Sequence, residues 1–356
     1  MSELLVLLDG RDVGTVRHER GRLSFAYADA WRSAPGAYPL SLSMPLAAAQ
    51  HPHAAIEPFL WGLLPDNEFI LMRWAQRFHV SARNAFALIS HVGEDCAGAV
   101  QFVSPERRAT FADAASLETD WISEADVADR LRALQADASA WRAPRDTGQF
   151  SLAGAQPKTA LLFDGQRWGV PSGRTPTTHI LKPSTGGIDG HAENEHLCLA
   201  LARALGLPTA NSQVRRFEDV TAIVVERYDR VRIPDLMAAQ AARAAAKAAE
   251  AAMHAGSNAP DSAAMTAQAA AEAAEAADSA HALAEFAKTT HTYRVHQEDF
   301  CQALRVHPSR KYQNEGGPGP RQIIDLLRAN APSAPRTKGR DTPNADEEDI
   351  QPSWTR

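Results

Sequence analysis

Between residues 237 and 288 the sequence is mostly alanine with scattered Glu, Lys, Arg and Gln, and this run decides where a core can lie. Alanine is the strongest helix former, and Gly256-Ser257-Asn258-Ala259-Pro260 interrupts the run, so the composition predicts two helices in a hairpin. Alanine faces bury little apolar area, which makes the hairpin an appendage. The competing reading is a frayed linker, because unpacked alanine helices are marginal in water. Residues 331–356, rich in Pro, Asp, Glu, Thr and Asn, have the composition of a disordered tail. Core-forming sequence therefore lies before 237 and after 288, and the 44% hydrophobic content overstates it, since so much of that content is alanine.

A chain of 356 residues still leaves room for two domains. A formal net charge of -6 excludes a global positive field drawing the chain to nucleic acid or to an anionic membrane. Cys96, Cys198 and Cys301 lack the paired spacing of a zinc site or a disulfide framework and read as reduced thiols, as expected of a cytoplasmic protein. The apolar run at residues 4–8 stops at Asp9-Gly10, too short for a signal-peptide core or a bilayer span. The thirteen histidines show no metal spacing, and His51/His53 and His291/His296 read as solvated loop residues.

Alternation predicts a β-meander over residues 4–8, 13–17 and 23–27, with turns at Asp9-Gly10 and near Arg20-Gly21. Helical spacing follows at 56–64 and at 68–78, where Phe69, Met72 and Ala75 recur, and a short element starts at 85–89. The polar stretch 107–120 reads as a linker and 124–134 as a helix begun by Ser123-Glu124. Strands are expected at 158–163, 168–170, 178–182 and 222–226, a helix at 194–205 stopped by Gly206, and further helices at 293–304 and 321–328. Strands, helix and strand in this order match a kinase small lobe.

Three segments could carry chemistry. Ser151-Leu152-Ala153-Gly154-Ala155-Gln156-Pro157-Lys158 sets small residues before a strand, so that backbone N–H groups can approach phosphate oxygens with a lysine at the end. An ordinary tight turn is the plain alternative. His179-Ile180-Leu181-Lys182-Pro183 ends a strand with a lysine, and Glu195 lies early on the next helix. A strand lysine paired with a helix glutamate holds nucleotide phosphates in kinase folds, whereas an unrelated surface pair is the bland reading. Val224-Val225-Glu226-Arg227-Tyr228-Asp229-Arg230 is a buried strand turning polar, suited to a hinge or simply to solvated charges.

Taken in order, these segments resemble the HipA family, serine/threonine kinase toxins of bacterial type II toxin-antitoxin modules. The likeness extends to Tyr38-Pro39-Leu40-Ser41-Leu42-Ser43-Met44-Pro45-Leu46, Phe59-Leu60-Trp61-Gly62-Leu63-Leu64-Pro65-Asp66, Asn194-Glu195, Gln297-Glu298-Asp299-Phe300-Cys301, Lys311-Tyr312 and Gly316-Gly317-Pro318-Gly319. It covers roughly residues 4–232 and 293–328. The resemblance implies an α+β fold, with a small N-terminal α+β subdomain packed on a protein-kinase-like core. The corresponding divisions are 1–106 for the N-terminal subdomain, 107–149 for a linker and helix, 150–232 for the nucleotide-binding lobe, 233–292 for the alanine-rich helical insertion, 293–330 for the start of an incomplete C-lobe and 331–356 for an aberrant tail.

It also implies roles. Ser151 matches the family's autophosphorylated serine, whose modification expels the loop and switches the kinase off; Ala153, Gly154, Ala155, Gln156 and Lys158 match the loop over the ATP phosphates; Lys182, partnered by Glu195, matches the ATP-contacting lysine; Glu226 and Tyr228 match the adenine-side hinge. ATP and Mg²⁺ are the implied cofactors. The implied partners are a helix-turn-helix antitoxin of the HipB type, DNA only indirectly through it, and a protein substrate such as an aminoacyl-tRNA synthetase, with no membrane. The family's catalytic Asp and Asn and its later Mg²⁺-binding Asp, set in text resembling T-D-A-H-A-K-N-(F/Y)-S, have no counterpart after Asp229, so no catalytic residue is identified. Asp325 and Asn330 copy only the spacing, and on a helix they fall about 140° apart. The shift after Pro332 to unrelated polar text is expected of a frameshift or premature end in the gene, which reading the other frames would test. Two functions follow: a HipA-type kinase whose catalytic lobe is cut short, or a non-catalytic remnant that binds the antitoxin and modulates operon repression.

Overall fold

The computed structural model describes residues 2–112, 119–143, 146, 150–184, 190–233 and 292–330. Its first sheet is antiparallel and five-stranded, in the order β4-β3-β2-β1-β5, from β1 (Ser2–Leu8), β2 (Arg11–Glu19), β3 (Arg22–Tyr27), β4 (Gln50–Pro52) and β5 (Val100–Val103). Both hairpin turns put two residues at positive φ, Asp9 (48°) with Gly10 (79°) and Arg20 (49°) with Gly21 (77°), the conformation a tight two-residue hairpin demands. Val13 and Val16 of β2 and the alternate residues Leu23 and Phe25 of β3 face inward and are buried. Against them pack α1 (Asp29–Arg32), α2 (His53–Trp61), α3 (Glu68–Phe78) and α4 (Ala85–Val92).

Helix α3 has the expected bounds but not the expected face. Phe69 and Met72 are about half exposed, at 47% and 50%, while Ile70, Leu71 and Trp74 turn inward with Ala75. The Asn67 side chain starts it by accepting from the backbone N–H groups of Phe69 and Ile70.

The stretch expected as a linker carries structure: α5 (Arg108–Ala112) and β6 (Thr119–Ile122), the latter closing the edge of a second sheet. Helix α6 (Glu124–Ala136) opens with a reciprocal capping box between Ser123 and Asp126. The second sheet is antiparallel in the order β10-β11-β9-β7-β8-β6, from β7 (Thr159–Phe163), β8 (Trp168–Pro171), β9 (His179–Pro183), β10 (Ser212–Phe217) and β11 (Val220–Glu226). Helix α6 lies against β7, β9, β10 and β11, and α7 (His191–Ala204) lies against β10 and β11. One continuous apolar core runs from Leu4 through α6 to Val224, joining both sheets.

After β12 (Arg230–Arg232) the described chain resumes at β13 (Thr292–Arg294), which pairs with it, followed by α8 (Phe300–Leu304) and α9 (Pro320–Asn330). A single helix over 293–304 is therefore not formed: Tyr293 and Arg294 are in a strand, and only the segment capped by Asp299 is helical. The predicted alanine hairpin and the polar tail lie outside the described residues. The histidines are not solvated loop residues either. His51 is buried against Phe25 and Tyr27, His53 accepts from the Leu23 N–H through Nδ1, and His296 hydrogen-bonds the Leu40 carbonyl; His291 is outside the described residues. The three cysteines are free thiols. Among the described residues no helix is long and apolar enough to cross a membrane.

Candidate functional site

Lys182 lies on the central strand β9 and Glu195 one turn into α7, and the sheet and helix bring the two side chains together at 2.5 Å. Both are partly shielded, at 19% and 26% exposure, so the pair is neither a solvent-screened surface contact nor a sealed core pair. An ammonium has three donors and Glu195 takes one, leaving two free for an anion.

The loop before β7 sits above this pair. Gly154 takes a φ of 104°, open essentially to glycine alone, and a Cβ there would stand 3.0 Å from the Lys158 amine. That amine donates to the Ala153 carbonyl at 2.9 Å. Among the described residues no carboxylate bonds it. Burial and the neighbouring Lys182 push it down from the ordinary lysine value to about 8, against the opposing pull of Asp66 and Glu195. Gln156 meets His191 of α7 at 3.3 Å, tying the loop to the helix that carries Glu195. Ala155 is exposed in the same loop. Small residues, a glycine in a left-handed conformation and an amine held only by a backbone carbonyl among the described residues fit a phosphate group by donor chemistry.

Ser151 is fully buried. Its hydroxyl donates to the Leu63 carbonyl at 2.6 Å, and its N–H donates to the Asp95 carbonyl at 3.0 Å. Leu152 continues into a cavity of about 20 Å³ lined by Ile70, Trp74 and Trp141, so the start of the loop is seated on the N-terminal unit. Glu226 ends β11 and accepts from the Asn211 side chain at 2.9 Å, while Tyr228 beyond it is 70% exposed. The two lie at the strand end the sequence indicated.

Between Glu226 and Arg230 stands a feature the sequence reading missed. Arg227, Arg230 and Arg294 converge on Asp95 and Asp229, all five buried. Asp95 accepts from Arg230 at 2.7 Å, Arg294 at 3.1 Å and Thr177 at 2.7 Å, and Asp229 bonds Arg227 at 2.8 Å and the Gly98 N–H at 2.6 Å. Burial alone would raise the Asp95 carboxyl, but Arg230, Arg294 and Arg227 hold it well below the usual carboxylate range. The charges read as a solvated strand end are thus a sealed junction between the two sheets.

Asp325 and Asn330 both lie in α9 and are exposed; the Asn330 amide is turned back onto the Leu326 carbonyl of its own helix at 2.8 Å, so they form no joint site. Among the described residues no group of three or more His, Cys, Asp or Glu side chains is arranged to hold a metal ion.

Comparison with known proteins extends this geometry. A family model described as the HipA N-terminal domain matches residues 4–103, and one described as the HipA-like C-terminal domain matches residues 150–291. The Sinorhizobium fredii protein Y4mE is 33% identical over 327 residues, spanning 91% of this chain and 64% of that protein. The serine/threonine-protein kinase toxin HipA of Shewanella oneidensis is 31% identical over 210 residues, 58% of this chain and 45% of that one. Among solved structures, the complex of Shewanella oneidensis MR-1 HipA with HipB and its operator DNA matches with a TM-score of 0.58 at 25% identity, over 91% of this chain and 60% of that one. The chain spans less than two thirds of the length of each of these relatives.

Proposed function

Since the chain belongs to the HipA family, we propose that it binds ATP between the 153–158 loop and Lys182 and acts as a serine/threonine kinase of a type II toxin-antitoxin module. The observation that carries this reading is the Lys182–Glu195 pair at 2.5 Å beneath the phosphate-suited loop. In the proposed transfer the γ-phosphoryl group of ATP passes to the Ser151 hydroxyl, ADP leaves and the hydroxyl proton is released. Ser151 must first leave its seat on the Leu63 carbonyl, because that seat encloses it completely. A phosphoserine carries nearly two negative charges and three acceptor oxygens. It could not return to a closed seat against the Leu63 carbonyl, so the loop would stay out and phosphate binding would be lost, an off-switch. Glu226 and Tyr228 are proposed as the adenine-side hinge.

A helix-turn-helix antitoxin of the HipB type is the proposed partner, with operator DNA reached through it, and the likeness to the Shewanella complex supports this. A component of translation such as an aminoacyl-tRNA synthetase is the proposed substrate, and the cytoplasm the proposed site of action. The second reading, a module that binds the antitoxin without phosphoryl transfer, is favoured by the separation of Asp325 and Asn330 on α9. Peptide mass spectrometry of the purified chain with and without Mg-ATP separates the two. Phosphate on the fragment containing Ser151, absent in Lys182→Ala, is expected of the kinase; a folded sample that gains none supports the binding module.

A further inference from the structure

Three stretches far apart in sequence each bring an amine to the same place. Lys158 closes the loop, Lys182 lies on β9, and Lys311 follows the short turn Pro308–Arg310. Lys311 donates to Asp66 at 2.8 Å across 245 residues of chain, Asp66 lying in the turn between α2 and α3 of the N-terminal unit. Pro65 lines the small cavity that also touches Gly154, Gln156 and Lys158. Pro65 and Asp66 together line a larger groove of about 570 Å³ with His307, Pro308 and Ser309. Asp66 therefore stands between the loop and the segment that delivers Lys311. Lys182, Glu195, Asp66 and Lys311 all act electrostatically on the Lys158 amine, which places the five charges in one neighbourhood.

The two outer amines are built alike. Lys182 is held by Glu195 and Lys311 by Asp66, each pair partly shielded, with Lys311 at 34% and Asp66 at 23% exposure. Each ammonium keeps donors beyond the one its carboxylate takes. Asp299, the next carboxylate, is spent on capping α8 through the Gln302 N–H at 2.7 Å and does not compete for Lys311. The Lys311 amine also stands 5.1 Å from the centre of the Tyr312 ring, whose side chain is a second hydrogen-bonding neighbour beside Asp66, so one of its three donors is left for an anion. A polyphosphate spreads its charge over several oxygens and is held best by cations on more than one side.

We propose that Lys311 is a phosphate-contacting residue of the nucleotide site, held toward the loop by Asp66, so that the N-terminal unit completes the site. This rests on the nucleotide reading above. Isothermal titration of the full chain with ATP and, separately, with adenosine tests it. The wild type is expected to bind both; Lys311→Ala should lose roughly tenfold or more in ATP affinity, the size of one charge-assisted hydrogen bond, while keeping adenosine affinity within about twofold. Lys311→Arg should recover part of the ATP loss, and Asp66→Asn should weaken ATP alone, by less. Lys311→Ala that binds ATP as tightly as wild type, or that loses ATP and adenosine together, overturns the proposal and leaves the nucleotide reading standing. A wild-type chain that binds neither ligand overturns the nucleotide reading, and this proposal with it.

Discussion

Lys158 is the one amine of the site without a carboxylate bonded to it among the described residues, and burial with Lys182 nearby sets it to about 8. A bound phosphate favours the charged amine, so binding must take up a proton wherever the free amine is neutral. ATP affinity is therefore expected to be level up to about pH 7 and to fall as pH rises through about 8, by at most about tenfold per pH unit. Lys158→Arg should remove the slope, because a guanidinium stays charged throughout. Calorimetric titrations at several pH values check this, and a slope that survives in Lys158→Arg would assign it to another group. These residues were legible in the sequence because the loop, Lys182 and Glu195 are each read from a few neighbouring positions. Asp66 and Lys311 were not: each is an ordinary surface charge until the fold closes 245 residues between them.

At the scale of the element, the start of the loop, Phe150–Ser151, is held by three bonds: the Ser151 hydroxyl on Leu63, its N–H on Asp95, and the Trp141 indole N–H on the Phe150 carbonyl at 3.1 Å. Ser151→Ala removes only the first, worth about 1 kcal/mol. Ser151→Asp instead places a carboxylate against the Leu63 carbonyl in a dry seat, where an unpaired charge is far costlier. Amide hydrogen exchange over this loop is expected to quicken strongly in Ser151→Asp and little in Ser151→Ala; equal protection in both would mean that the seat tolerates charge. The same scale shows why some elements could be read and others not. Central strands such as β7, β9 and β11 announce themselves by apolar runs or alternation. Strands β4, β12 and β13 have three residues each, too few to set a period, and β10 (SQVRRF) is largely polar and carries Arg215 over the rings of Phe163, Trp168 and Phe217. The apparent helix at 293–304 failed because β12 supplies Tyr293 and Arg294 with a strand partner that local spacing cannot reveal.

At the scale of the molecule, the buried junction of Asp95 and Asp229 with Arg227, Arg230 and Arg294 joins α4's exit, the end of the second sheet and β13. Removing one partner from such a junction strands buried charge. Asp95→Asn is expected to lower unfolding free energy by about 3–5 kcal/mol, read from the urea midpoint, with tryptophan fluorescence and circular dichroism moving together because one core serves both sheets. A loss below about 1 kcal/mol would show that Asp229 and water replace it. No sequence pattern announces this junction, since Asp95 meets Arg230 across 135 residues and Arg294 across 199. That span also sets a timetable for biosynthesis. A ribosome emits the meander and its helices long before it reaches Arg294, so Asp95 meets Thr177 and Arg230 first and gains its last arginine only when residue 294 emerges. Contacts across such distances form late, so the junction is completed in steps: Arg227 and Arg230 can join the two sheets first, and Arg294 adds the last guanidinium after translation has passed the alanine-rich run.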